Sequence, residues 1–223
     1  HWYYFGSNGK KVEDDSKKIN GRTYYFNEDG EMLYGWHEEN GNVFYLGGED
    51  EGWRAESQWL WLELPSEDDV DRNGVGFDND DCSTCDEEGW YYFGSNGKMY
   101  QSAKKKKVNG KYYYFNEHGQ MLYEWINGKA VSATTPGNAH LDGNATGNTA
   151  VGDMLYYNVV EEGWRGDGWY EIDGSEDAGT DGDTDWYYID DGEPKRADAK
   201  FDNALKNDFV TYEEGKSPVY VAR

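Results

Sequence analysis

The chain has 223 residues, of which 36% are hydrophobic, and its 45 Asp and Glu outnumber 21 Lys and Arg to leave a net charge of −24. This balance excludes nucleic acid as a partner, because phosphate binding draws on clustered basic residues and the one run is Lys104 to Lys107, which reads as a solvated, pairing-resistant edge. No stretch approaches the ~20 apolar residues that cross a bilayer, so no membrane span is expected.

The first predicted element is the aromatic run Trp2-Tyr3-Tyr4-Phe5, closed by the turn signal Asn8-Gly9. The next run, Tyr24-Tyr25-Phe26, leads through Asp29-Gly30 into the short strand Glu31-Met32-Leu33-Tyr34. Aromatic runs favour pleated backbone and Asn-Gly or Asp-Gly pairs favour tight turns, so each unit is predicted to be a β-hairpin. Further clusters follow at Phe44, Tyr91, Tyr113, Tyr156, Trp169 and Tyr187. Only Ala197 to Asn207 spaces apolar residues at helical intervals without Gly or Pro, and it has no strong cap.

Repetition organises these elements. WYYFGSNGK occurs unchanged at Trp2 to Lys10 and at Trp90 to Lys98. YYFNEDGEMLYGW at Tyr24 to Trp36 returns as YYFNEHGQMLYEW at Tyr113 to Trp125, changed only at Asp29/His118, Glu31/Gln120 and Gly35/Glu124. Weaker copies are Trp186 to Gly192 and the pair Gly52-Trp53-Arg54 and Gly163-Trp164-Arg165. A lone hairpin is marginal in water, so the units must stack and bury their aromatic faces jointly. With 10 Trp, 20 Tyr and 8 Phe, aromatic rings must form much of the core.

The predicted fold is all-β: stacked, β-solenoid-like hairpin repeats in two lobes with irregular acidic loops. Residues 1–64 form the first lobe, 65–88 an acidic loop, 89–130 the second lobe, 131–152 a Gly/Asn/Thr-rich loop, and 153–223 degenerate repeats that continue the second lobe. The chain starts inside a repeat and stops in a strand-like segment, Val219-Tyr220-Val221, so it is expected to be a piece of a longer protein.

Two features of the acidic loop suggest chemistry. Asp69, Asp71, Asn73 and Gly74, with Asp78 and with Asp80 at the twelfth position, follow the order in which oxygen ligands and a turn glycine wrap a structural calcium ion. The alternative is a solvated acidic turn. Cys82 and Cys85, the only cysteines, lack the further N or S ligands that zinc needs at recognisable spacing, since the four histidines are scattered. A short-range disulfide, implying an oxidising extracellular setting, is the leading reading, with free thiols as the other.

The units WYYF-x-x-NGK-M and NGK-YYYF-N-x-x-GQM resemble the cell-wall-binding repeats of Gram-positive surface proteins, a family that includes choline-binding modules and the glucan-binding repeats of glucansucrases. The resemblance covers Trp2 to Leu46 and Trp90 to Trp125 closely and Met154 to Lys200 loosely. It implies a secreted or cell-surface, non-catalytic module that attaches its parent protein to a polysaccharide or cell-wall polymer. It also implies ligand pockets built from a Gly-Trp tryptophan and neighbouring aromatics, here Trp36, Tyr45, Trp53, Trp90, Trp125, Trp164, Trp169 and Trp186. Glu124 replaces the glycine before Trp125 and departs from that pattern.

Strand alternation sets Trp59 and Trp61 on one face, where two indoles could form a sugar platform or cap the hairpin stack. Three functions follow: glucan binding through repeated aromatic platforms, choline or teichoic-acid anchoring through cation–π cages, and an adhesive spacer whose open ends associate head to tail. No nucleophile elbow, paired metal-binding histidines or phosphate-cradling loop occurs, and no catalytic residue or organic cofactor is predicted.

Overall fold

The computed structural model describes residues 1–78, 81–82, 84–127, 154–172, 185–195, 209–210 and 221–222. Among the described residues it consists of antiparallel hairpins with one short α-helix. Residues 197–207, the one stretch with apolar residues at helical intervals, and the expected loop over 131–152 lie outside the described residues.

The chain divides into two units. The first comprises residues 1–101 and 118–120. It contains β1 (Asp15–Ile19) paired with β2 (Arg22–Phe26), and β3 (Trp36–Glu39) paired with β4 (Asn42–Tyr45). Its third hairpin pairs β5 (Gln58–Glu63) with β6 (Glu88–Phe93), and α1 (Glu67–Asn73) lies in the connection between them. Residues 65–88, expected to separate two lobes, therefore lie inside a single hairpin.

The second unit comprises residues 102–117 and 121–223. Its first sheet joins β7 (Ala103–Val108), β8 (Lys111–Phe115) and β9 (Met121–Leu122). The next pairs β10 (Glu124–Asn127) with β11 (Met154–Tyr157). A third joins β12 (Gly168–Ile172), β13 (Asp185–Asp190) and β14 (Glu193–Lys195), and the last pairs β15 (Phe209–Val210) with β16 (Val221–Ala222).

The main turns differ from those expected. Asn20-Gly21, Asn40-Gly41, Asn109-Gly110 and Asp191-Gly192 have positive φ at both residues, so they form two-residue turns whose twist matches the flanking strands. The aromatic runs of β2 and β8 thus follow their two-residue turns as second strands, not first, whereas the run of β13 precedes Asp191-Gly192 and pairs with β14 after it. Asp29-Gly30 instead closes a longer loop, in which the Gly30 amide donates to the Asn27 carbonyl at 2.9 Å and Phe26 bridges Met32. Asn96-Gly97 repeats this arrangement, with Phe93 bridging Met99.

Aromatic rings fill the interior. In the first unit Trp36, Tyr91, Phe93 and Met99 are buried with Leu60 and Leu62 packed against them, and Tyr25, Phe44 and Leu46 form a second cluster. In the second unit Trp125, Tyr156, Tyr187 and Ile189 cluster, as do Tyr114, Leu122, Ile126 and Tyr157. Burial raises the phenol pKa values of Tyr91, Tyr114 and Tyr157 far above the ordinary value, so these hydroxyls stay neutral.

Candidate functional site: an aromatic face and its covered neighbours

The β5–β6 hairpin separates its side chains by alternation. Leu60, Leu62, Tyr91 and Phe93 point into the core, while Trp59, Trp61, Trp90 and Tyr92 share the opposite face. Cross-strand register sets Trp59 beside Tyr92, with ring centroids 5.1 Å apart, and Trp61 beside Trp90 at 5.4 Å. Tyr100 extends the row, 5.0 Å from Tyr92. Trp61 is 43% exposed, and its indole N–H donates to the Glu88 carboxylate at 2.7 Å, which fixes the ring.

Beside this face lies a cleft of about 470 Å³ lined by Tyr34, Trp36, Tyr45, Trp61, Asp69 and Glu88 among others. Burial, followed by the nearby Glu51, Asp69 and Glu63 carboxylates, raises the Tyr45 phenol pKa, and the cleft lining is acidic, with Glu49, Glu63, Asp69 and Glu88 set against Arg72. The helix α1 supplies part of its wall. Asp69 accepts from the Ser66 backbone N–H at 3.0 Å, three acidic residues sit in the first turn, and Gly74 ends the helix in the left-handed conformation. The Asn73 amide then donates to the carbonyls of Tyr34 (2.8 Å) and Trp36 (2.5 Å), tying α1 to the β3 hairpin.

Asp69, Asp71 and Asn73 thus occupy a helix instead of the expected metal-wrapping loop. Asp69 is committed to Ser66 and Arg72, and Asn73 presents its amide to backbone carbonyls. Asp78 follows the helix, and Asp80 lies outside the described residues. Cys82 and Cys85 are joined as a disulfide with Cα atoms 5.5 Å apart.

The Gly-Trp tryptophans are mostly covered. Trp36 is 4% exposed, packed edge-on against Tyr45 and Tyr91, and its N–H donates to the Glu63 carbonyl at 3.1 Å. Trp125 is equally buried, between Tyr156 and Tyr187. Its predecessor Glu124 keeps φ at +57°, close to the +72° of Gly35, so the altered residue preserves the local backbone. The Arg22 guanidinium lies 3.9 Å from the Trp53 ring centroid, and the Lys111 ammonium lies 2.9 Å from that of Trp164. Both cations occupy the position directly after an Asn-Gly turn, so the chain places its own positive charge over the indole of each Gly-Trp-Arg segment. Sequence reading missed this pairing, although the matched spacing of the two segments carried the signal. Trp169 packs on Tyr188 at 5.2 Å. Trp186 lies opposite Glu171, and its side chain is outside the described residues.

Comparison with known proteins agrees with this organisation. A family described as a choline-binding repeat matches residues 14–59, and one described as a putative cell wall binding repeat matches residues 1–11, 85–99 and 106–121. Glucosyltransferase-S of Streptococcus mutans is 27% identical over 128 residues, covering 52% of this chain and 7% of the relative. Glucosyltransferase-I of Streptococcus downei is 25% identical over 220 residues, covering 85% of this chain and 12% of the relative. The chain therefore spans only a small part of the length of both relatives. The crystal structure of choline binding protein F from Streptococcus pneumoniae, determined in the presence of a peptidoglycan analogue, shares the fold with a TM-score of 0.52 at 20% identity, over 89% of this chain and 50% of that one. The matched segments fall in both copies of the duplicated sequence and adopt a hairpin fold shared with choline binding protein F, so these segments are cell-wall-binding and choline-binding aromatic repeats.

Proposed function

We propose that this region is a non-catalytic module that attaches an extracellular or cell-surface bacterial protein to a polysaccharide, with a glucan as the preferred polymer. The row of Trp59, Trp61 and Trp90 on the outer face of the β5–β6 hairpin, backed by the buried Tyr92 beside Trp59, carries this reading. Sugar rings offer apolar C–H faces to indoles and hydroxyls to nearby carboxylates, and Glu88 stands beside Trp61 to receive one. The glucosyltransferase relatives support glucosyl units as the ligand class.

A choline-type cage needs open indole faces, whereas Trp36 and Trp125 are buried and Trp53 and Trp164 carry internal cations. The acidic cleft beside Tyr45 and Trp61 favours a second reading, in which a quaternary ammonium group of a wall polymer binds there.

Retention on insoluble dextran and on purified cell wall, with and without millimolar choline, separates the two. Retention on dextran that resists choline, and that falls roughly tenfold or more in a Trp59→Ala plus Trp61→Ala variant, is expected. Unchanged retention in that variant, or release by choline, overturns the glucan reading. Circular dichroism checks that the partly exposed indoles were removed without loss of the fold.

A further inference from the structure

The cysteine loop contacts the second copy of the repeat at the positions where that copy has changed. His118 stands where the first copy has Asp29, and Gln120 where it has Glu31. Gln120 accepts from the Asp86 backbone N–H at 2.7 Å and donates to the Asp86 carbonyl at 3.1 Å, so it fastens the residue after Cys85. The His118 ring stacks on Phe77 of the same insert, with centroids 4.2 Å apart and planes inclined by 30°. The ligand atoms of Cys82, Cys85 and His118 all lie within 4.8 Å of one another. Two of the three changes in an otherwise copied block thus meet the insert that carries both cysteines.

We propose that Cys82, Cys85 and His118 form a binding site for a zinc-class divalent cation, available when the cysteines are thiols and closed when they are joined as a disulfide. Two sulfurs and an imidazole nitrogen are a borderline-soft donor set, which selects zinc or cobalt over calcium or magnesium. Cys-x-x-Cys is a common ligand pair, and water completes four coordination. Tetrahedral zinc with Zn–S bonds of about 2.3 Å separates its two sulfurs by about 3.8 Å, a distance reached by rotating the cysteine side chains once the S–S bond is open.

The opening step needs two electrons and two protons. An external dithiol supplies them, itself becoming a disulfide while Cys82 and Cys85 become thiols. Metal binding then replaces the two thiol protons, which leave to solvent, and His118 donates a nitrogen lone pair. The site neither rests on nor alters the polysaccharide reading, because its residues are separate from Trp59, Trp61 and Trp90. Reading along the sequence could not find it, since His118 has no paired partner at ligand spacing and only the fold brings it to the cysteines.

The test uses the full chain, reduced with dithiothreitol and freed of reductant by anaerobic gel filtration, then titrated with Co²⁺ and competed with Zn²⁺. One equivalent of Co²⁺ giving thiolate-to-cobalt charge-transfer absorption, bleached by Zn²⁺, is expected. The oxidised protein and a Cys82→Ser plus Cys85→Ser variant should lack this absorption, and His118→Ala should bind at least about tenfold more weakly. Absence of the absorption in the reduced protein overturns the proposal, as does unweakened binding by His118→Ala. Equal metal uptake by the double serine variant also overturns it, assigning the uptake to surface carboxylates. Circular dichroism of the reduced protein and each variant shows whether the hairpins remain.

Discussion

At the scale of single residues, His37 shows how the aromatic interior imposes a pH response. Its ring lies 4.9 Å from Tyr25 and 6.3 Å from Phe44, and burial lowers its pKa below the usual 6.5, while Glu39, the Asn73 backbone and Glu38 pull it partly back. The folded protein resists protonation at a pH where the unfolded chain accepts the proton. Stability associated with the neutral ring is therefore complete above the ordinary histidine value and declines as pH falls through it toward the lower folded value. The urea midpoint is expected to drop between about pH 7.5 and about pH 5.5, a range in which ordinary carboxylates remain charged. His37→Phe, which keeps a ring against Tyr25 and Phe44, should show a flatter profile, and parallel profiles would remove His37 as the cause. Similar limits governed which residues could be read from sequence. The shared face of Trp59 and Trp61 followed from strand alternation, but the covering of Trp53 by Arg22 and of Trp164 by Lys111 depends on how neighbouring hairpins stack.

At the scale of elements, successive hairpins are keyed by a methionine of one unit lying against a glycine of the next. A Cβ on Gly52 would meet the Met32 sulfur at 2.3 Å, one on Gly119 would meet that of Met99 at 2.4 Å, and one on Gly163 would meet that of Met121 at 2.3 Å. Gly52 also holds φ at +67°, where a side chain costs about 1–2 kcal/mol. Gly52→Ala should therefore destabilise the protein by about 2 kcal/mol or somewhat more, once displacement of Met32 is added. Met32→Ala should recover the steric part in the double variant, giving a coupling of about 1 kcal/mol in a urea-denaturation cycle. Additive effects would show that the two residues do not key the hairpins together. The recurrence of Gly-Trp and Met in order hinted at this arrangement, and the aromatic runs indicated hairpins correctly. Which strand each run formed was not legible, because Asn20-Gly21 and Asp29-Gly30 offer similar turn chemistry, and only pairing distinguishes a two-residue turn from a bridged loop. The helix α1 was hidden for a related reason. Its Asp and Asn spacing suits oxygen ligands in a loop as well as a short capped helix, and Asn73 bonding to the Tyr34 and Trp36 carbonyls favours the helix.

At the scale of the whole molecule, the net charge of −24 distinguishes the two ligand classes by physics that does not depend on locating the pocket. A cationic ligand is drawn by the field of all the carboxylates, and that attraction is screened as the Debye length shrinks from about 30 Å at 0.01 M salt to about 3 Å at 1 M. A neutral glucan resting on Trp59, Trp61 and Trp90 gains its contact energy from apolar burial and hydrogen bonds, which sodium chloride changes little. Retention on dextran should consequently stay within about twofold between low and high salt, whereas a choline-mediated attachment should weaken steadily across the same range. The measurement is a dextran-retention isotherm at a series of sodium chloride concentrations, beside one on choline-bearing resin. A steep loss of dextran retention with salt would mean that charge, and not the aromatic face, holds the polymer. Because screening acts on every carboxylate at once, the slope reports the character of the contact even if several hairpins bind weakly together, where removing any one tryptophan would produce only a partial loss.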